Sequence, residues 1–343
     1  MKTNAQTSSS TPWRAASHGR LAAWLLSGLL ALPAGAASLV ETPMLADDVG
    51  AKKLPPVAER VPKTPLVSQT TGKSGGTLRT LIGRAKDVRM LVVYGYARLV
   101  GYDTRFNIVP DILESMDVKE GRSFTLKLRA GHKWSDGKPF TTEDFRYYWE
   151  DVANNSALSP TGPPRALLVD GQPPKVEIID QTTLRYTWPS PNREFLPRLA
   201  GTSPLFIYRP AHYLKKFHKK DNPKIAKAET DGSTKRGWAR VHNKRDNMYS
   251  FDNPDLPTLQ PWANSTKPPA DRFLAMRNAY FHRVDAQGNQ LPYIDRIDML
   301  VANGKLIPAK AGAGEADLQA RDLQFNNYTF LKKAEKQNDY RTL

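Results

Sequence analysis

Apolar and polar positions alternate with two different periods along this chain, and the switch between them outlines the fold. The stretch "GGTLRTLIG" opens the first clear strand, Thr77 to Ile82, just after a double glycine. "DILESMDV" and "SFTLKLR" alternate in the strand manner and are joined by the turn "KEGR". "KVEIID" and "TTLRYTW" make a second strand pair, and "DRFLAMRN" and "DRIDMLVAN" read as further strands. Helical spacing predicts helices in "KDVRMLVVYGYARLV", "NREFLPRLA", "GEADLQARDLQF" and "YTFLKKAEKQ". Strands and helices are interspersed, without an internal repeat, so the fold class is mixed α/β.

The densest local signal is "LRAGHKWSDGKPFTTEDFRYYWEDV", Leu128 to Val152. A strand ends at Arg129, Gly137 suits a turn, and Pro139 fixes the chain before a helix. Thr141 with Asp144 three residues on has the capping-box pattern. Phe145, Tyr148, Trp149 and Val152 then fall on one face at i, i+3, i+4 and i+7. His132, Ser135 and Asp136 could be imagined as a triad, yet three neighbours on one turn rarely converge as nucleophile, base and orienter. Folding accounts for the whole stretch, and Trp134 and Trp149 are expected in the core.

The N-terminus reads as an export signal over residues 1–36. Lys2, Arg14 and Arg20 precede the twelve apolar residues "LAAWLLSGLLAL", too few to cross a bilayer comfortably, and Ala34 and Ala36 give the A-x-A exit. No cysteine is present, which excludes disulfides, a thiol nucleophile, a cysteine-held zinc and a lipid-anchored junction. Residues 37–74 are polar and proline-punctuated, as in "KKLPPVAERVPKTPLVSQTTGKSG", and read as an extended arm with little to bury. The expected home is a periplasm, in soluble form after cleavage.

The formal net charge is +16, and removing a signal with three bases and no acid leaves +13. Much of the excess lies in His212 to Arg245, read here as a solvated helical face. A basic surface can serve a polyanion, but export disfavours nucleic acid and no nucleic-acid motif supports it. "GKSGG" at 72–76 formally fits G-x-S-x-G around Ser74, yet a polar arm precedes it and a strand follows, the reverse of a nucleophile elbow. No H-E-x-x-H occurs. The residues indicate neither an enzyme nor a metal or other cofactor.

The 128–152 stretch resembles the signature of the family 5 extracellular solute-binding proteins, the binding components of ABC importers. "VPDILESMDVKEGRSFTLKLR", "VEIIDQTTLRYTW", "FDNPDLPTLQPW", "GNQLPYIDRIDM" and "GEADLQ" resemble that family in the same order, from about Gly75 to the C-terminus. The resemblance implies a two-lobed clamshell that works as a monomer, captures an oligopeptide or similar solute, and delivers it to a permease with its ATPase subunits. It implies lobe I over residues 75–296, with an extra subdomain at about 107–190, and the start of an incomplete lobe II over 297–343. Without the returning strands, the lobe I sheet is expected to leave edges open. A frameshifted or clipped product, with no function of its own, is the alternative fate. An oligosaccharide or other solute is the alternative ligand.

Four residues are candidates for ligand contact. Tyr94 and Tyr96 follow the first strand where the family's chain faces the cleft, and aromatic platforms suit peptides or sugars. Arg84 and Arg89 could take a carboxylate bidentately.

Overall fold

Two four-stranded sheets carry most of the chain. The structure, a computed structural model, describes residues 38–227, 237–250 and 252–343. The expected export signal lies outside those residues, and so does the middle of the basic His212–Arg245 stretch. Ala37–Leu343 forms one compact unit.

The first sheet has the order β2 (Thr77–Ile82), β12 (Arg296–Val301), β10 (Arg272–Arg277), β9 (Trp262–Asn264). β2 and β12 run parallel, with Ile82 opposite Val301, while β10 is antiparallel to both its neighbours. Its core gathers Ile82, Val88, Leu91, Val92, Phe273, Ile297 and Met299. The second sheet is an antiparallel meander, β5 (Leu113–Lys119), β6 (Ser123–Leu128), β8 (Thr183–Thr187), β7 (Lys175–Ile178), and occupies the 107–190 region. Glu120 and Gly121 both take positive φ in the turn between β5 and β6. Two short pairs complete the set: β3 (Val100–Tyr102) with β4 (Ile108–Pro110), and β1 (Leu66–Ser68) with β11 (Arg283–Asp285).

Alternation along β6 and β8 explains why the second sheet is stable. Phe124, Leu126 and Leu128 point to one face with Leu184 and Tyr186, all buried. Phe124 meets Trp188 and Phe195 edge-on at centroid distances of 5.7 and 5.1 Å. Each such side chain contributes roughly 1.5–3 kcal/mol on leaving water.

The capped helix forms where the sequence indicates. The Thr141 backbone N–H donates to Asp144 Oδ2 at 3.0 Å, and the Thr141 hydroxyl accepts from the Glu143 N–H. The helix Thr142–Arg146 then widens into a π-helical segment, Tyr147–Ala153. Phe145, Tyr148 and Val152 are buried as the spacing predicts, and Trp149 packs half-buried against the same core. The wider turn also brings Tyr147 inside, where its hydroxyl lies 2.8 Å from His242 Nε2. Trp134 is fully buried, and its indole N–H donates to Asp144.

Three expectations need correction. The arm before β2 is less bare than its composition suggests. It folds into short helical turns at Ala46–Gly50 and Val57–Arg60, and Val57 and Val61 pack with Val284 in a small core of their own. Arg60 is buried there, paired with Glu41 and donating to the Ala279 carbonyl.

The second correction concerns "GEADLQARDLQF", which is not a helix: residues 315–324 run irregularly along β2. The Arg79 and Leu81 backbone N–H groups donate to Asp317 Oδ2 at 2.7 Å and Gln319 Oε1 at 2.9 Å. Gln319 Nε2 donates back to the Leu81 carbonyl at 3.0 Å, and the Asp317 N–H to the Arg79 carbonyl at 2.9 Å. Side-chain bonds to a neighbouring strand outweigh a weak helical preference. The helix expected in "YTFLKKAEKQ" does form, at Tyr328–Ala334.

The basic stretch is only partly a solvated face. Lys215 pairs with Glu143 and Lys220 with Asp151, each at 2.7 Å.

Candidate functional site

The parallel pair β2–β12 sets the place. In an open α/β sheet, crevices form beyond the carboxyl ends of parallel strands, where the chain leaves in different directions. After Ile82 the chain turns at Gly83 into the 3-10 segment Ala85–Arg89 and the helix Met90–Gly95. After Val301 it is held by the Ala302 N–H donating to the Ile82 carbonyl, then turns through Asn303 to Leu306. The segment at 321–327 comes back across both turns.

Asp87 is the centre of this place. Its side chain is almost fully buried, with three guanidinium groups around it: Arg84 at 3.7 Å, Arg89 at 3.4 Å and Arg321 at 3.4 Å. None of the three closes a hydrogen bond with Asp87, whose Oδ1 has no such partner among the described residues, and Arg321 donates instead to the Met90 sulfur. Gly83 lies close to two of the carboxylates. A Cβ there would lie 3.3 Å from Asp322 Oδ2 and 3.7 Å from Asp87 Oδ2. Tyr94 stands beside the cluster. Burial raises its phenol pKa, Arg321 opposes the rise and Asp322 adds to it. Next to it lies an open depression of about 470 Å³, lined by Asn303, Lys305, Asp322, Gln324, Asn326 and Asn327. Primary amides and opposite charges around such a depression can hydrogen-bond a peptide backbone or a polyol and pair with ionic ends.

Three of the four sequence candidates, Arg84, Arg89 and Tyr94, therefore come together. Tyr96 does not join them. It takes left-handed φ (+42°), and its hydroxyl donates to the Ala200 carbonyl at 2.8 Å and accepts from the Tyr102 N–H at 3.3 Å. Arg98 stacks on its ring at 5.0 Å, itself buried and donating to the Val92, Gly201 and Thr202 carbonyls. Sequence reasoning missed Asp87, Arg321 and Asp322. Only "KDVR" carried a hint, an acid three residues after Arg84 and two before Arg89.

A second buried carboxylate makes an instructive neighbour. Asp111 accepts from His282 Nε2 at 2.7 Å, from Arg283 at 2.6 and 3.0 Å, and from the Arg98 N–H at 2.9 Å. Burial works against its charge, but Arg283 and His282 together hold its pKa well below the usual carboxylate range. Arg129 donates to the Asp111 carbonyl and to that of Thr64, which ties the arm to this joint. His132 is buried against the His282 ring, centroids 5.0 Å apart, and burial lowers the pKa of both. Ser135 accepts from the Thr258 N–H and Asp136 pairs with His212, so His132, Ser135 and Asp136 turn to three different partners. Among the described residues no group of histidines and carboxylates could hold a metal ion.

The model of the "Bacterial extracellular solute-binding proteins, family 5 Middle" matches residues 107–342. The chain belongs to the family 5 extracellular solute-binding proteins. Among curated relatives, this family 5 chain is similar to the periplasmic alpha-galactoside-binding protein of Rhizobium meliloti (strain 1021), 29% identical over 315 residues, covering 83% of this chain and 42% of that one. It is 41% identical to the periplasmic oligopeptide-binding protein OppA of Escherichia coli (strain K12) over 51 residues, 15% of this chain and 9% of that one. Among solved structures, an oligopeptide-binding protein OppA superposes with TM-score 0.79 at 33% identity, over 89% of this chain and 49% of that one. The periplasmic binding protein MelB of Agrobacterium fabrum C58, solved with stachyose, superposes with TM-score 0.69 at 25% identity, over 87% and 46%. The chain spans about half the length of the relatives it matches over most of its own length. The fold is periplasmic-binding-protein-like, over part of that clamshell's length. Among the described residues no helix is long and apolar enough to cross a membrane.

Proposed function

We propose that this chain is the solute-capturing component of an ABC importer, working in the periplasm and handing its ligand to a membrane permease driven by ATPase subunits. Family membership supports the class, and the expected export signal supports the compartment. The division into lobe I to residue 296, including the 107–190 subdomain, and the start of lobe II beyond it belongs to the same reading. The chain binds without chemical turnover and acts as a monomer.

The ligand is an oligopeptide, and the observation that carries this is the set of three guanidiniums loosely held around Asp87. Arg84, Arg89 and Arg321 can receive a carboxylate, while the exposed Asp322 can receive an ammonium. A neutral sugar has no charge to meet that arrangement. One observation favours an oligosaccharide instead. The relative similar over 83% of this chain is an alpha-galactoside binder, and Tyr94 with the surrounding amides would suit sugar rings.

Thermal unfolding of the purified chain with each ligand separates the readings. A ligand that binds only the folded state at 100 times its Kd stabilises by roughly 2.7 kcal/mol. Mixed tri- to pentapeptides should raise Tm, and stachyose should not. A rise with stachyose alone would replace the peptide reading by the sugar one. A response to heparin, steeply salt-dependent and matched by neither solute, would point to a polyanion binder.

A further inference from the structure

The second sheet carries a groove that shares no residue with the cluster around Asp87. It is an open depression of about 490 Å³ between the 3-10 turn Arg165–Leu167 and the start of the helix Phe195–Ala200. Its apolar lining comes from the half-buried Leu168 and Val169 and from Pro191. Its rim carries Arg165, Arg193 and Arg198 against a single acid, Glu194. Arg198 is tied to that acid at 3.0 Å. The side chains of Arg165 and Arg193 make no ion pair or hydrogen bond among the described residues. Few of the described arginines share that state, and most are committed. Arg60, Arg98, Arg129, Arg209, Arg277 and Arg283 all bond carboxylates or carbonyls.

The groove continues into a larger one of about 690 Å³ that shares Arg165 and Leu168. There the buried ion pair Arg209–Asp246, 2.5 Å apart with the guanidinium against the Tyr148 ring, balances its own charge. The excess positive charge of the joined groove is therefore concentrated at Arg165 and Arg193.

We infer that this groove binds an acidic peptide segment of a partner protein, with carboxylates on Arg165 and Arg193 and an apolar residue between them on the Leu168–Val169 floor. Charge complementarity selects an acidic partner, and the planar fork of arginine suits carboxylates. Concavity favours a chain over a membrane, because a flat lipid surface cannot reach the floor of a groove. Strands β6 and β8 form a rigid base under it: the Trp188 indole, just after β8, donates to the Leu167 carbonyl at 2.9 Å.

The test is isothermal titration of the full chain with the blocked peptide acetyl-Glu-Leu-Glu-amide, compared with acetyl-Gln-Leu-Gln-amide. The blocked ends keep the probe from presenting a free terminus to the Asp87 cluster. The acidic peptide should bind at least tenfold more tightly than its glutamine isostere. The double variant R165E/R193E should lose that binding, while R105E/R240E, a charge-matched change at two exposed arginines elsewhere, should keep it. Each alternative result overturns the inference: equal binding of both peptides, equal loss in both double variants, full competition by inorganic phosphate, or capture by phosphatidylglycerol vesicles without peptide binding. Circular dichroism of each variant checks that the fold is intact.

Discussion

Asp87 and Asp111 are both buried carboxylates among arginines, yet they are held in different ways. Around Asp111 every contact is a short hydrogen bond, between 2.6 and 3.0 Å, with donors from β11 and its flank and from the backbone at Arg98. Around Asp87 the three guanidiniums stay at 3.4–3.7 Å, and no hydrogen bond is completed. Complete geometry repays the cost of burying charge only when all partners are in place, and then it fixes a joint. Incomplete geometry leaves donors and acceptors that another molecule can use. The contrast separates a structural joint from the place proposed here for binding.

The largest test of that contrast is Asp111→Ala. It strands His282 and Arg283 without their acceptor and should cost about 3–5 kcal/mol in urea unfolding. A loss under 1 kcal/mol would mean that the joint is not structural. Acid should come next. The pKa of His242 is lowered by burial, to about 4, and His218 beside it adds to the shift. The folded state then stays neutral while the unfolded chain takes up a proton below its ordinary value of 6.5. Stability falls as pH drops from about 6.5 to 4 and stops falling from this source below 4. The loss is roughly 3 kcal/mol. His132 and His282 shift in the same direction. Asp144, whose pKa burial raises to about 6, contributes in the opposite direction over this range, so the measurement compares the parent chain with His242→Gln, and an unchanged pH slope in the variant would contradict this.

Arg321→Ala should show the opposite balance to Asp111→Ala. Tm should move less than for Asp111→Ala, since Arg84 and Arg89 remain beside the buried Asp87, while affinity for a charged solute falls about tenfold. Equal loss of stability and affinity would make the Asp87 cluster another structural joint. The smallest effect belongs to the tyrosines. Tyr96→Phe removes the bond to the Ala200 carbonyl and should cost about 1 kcal/mol, whereas Tyr94→Phe should leave stability unchanged. Differential scanning calorimetry resolves the two.

Local signals made much of this fold legible. The β5–β6 and β7–β8 pairs follow period-two alternation, and Thr141 with Asp144 starts its helix by a purely local bond. The segment 315–324 was illegible for the converse reason, because its partners, Arg79 and Leu81, lie more than 230 residues away. The site was half legible. Arg84, Arg89 and Tyr94 are near in sequence and meet, but Arg321 reaches Asp87 only through the returning chain. Tyr96 was drawn elsewhere by a carbonyl at Ala200 that no spacing rule could indicate.

The way Asp317 and Gln319 cover β2 has a bearing on how this protein keeps to itself. Gln319 presents its primary amide to Leu81 much as a peptide group of a fifth strand would, donor and acceptor together. Asp317 adds a carboxylate and one peptide rung at Arg79. A second molecule seeking to lengthen the sheet therefore meets groups already satisfied, and growth into ordered fibres has no template at that side. Two side chains and one stretch of irregular backbone thus act as a stopper against polymerisation.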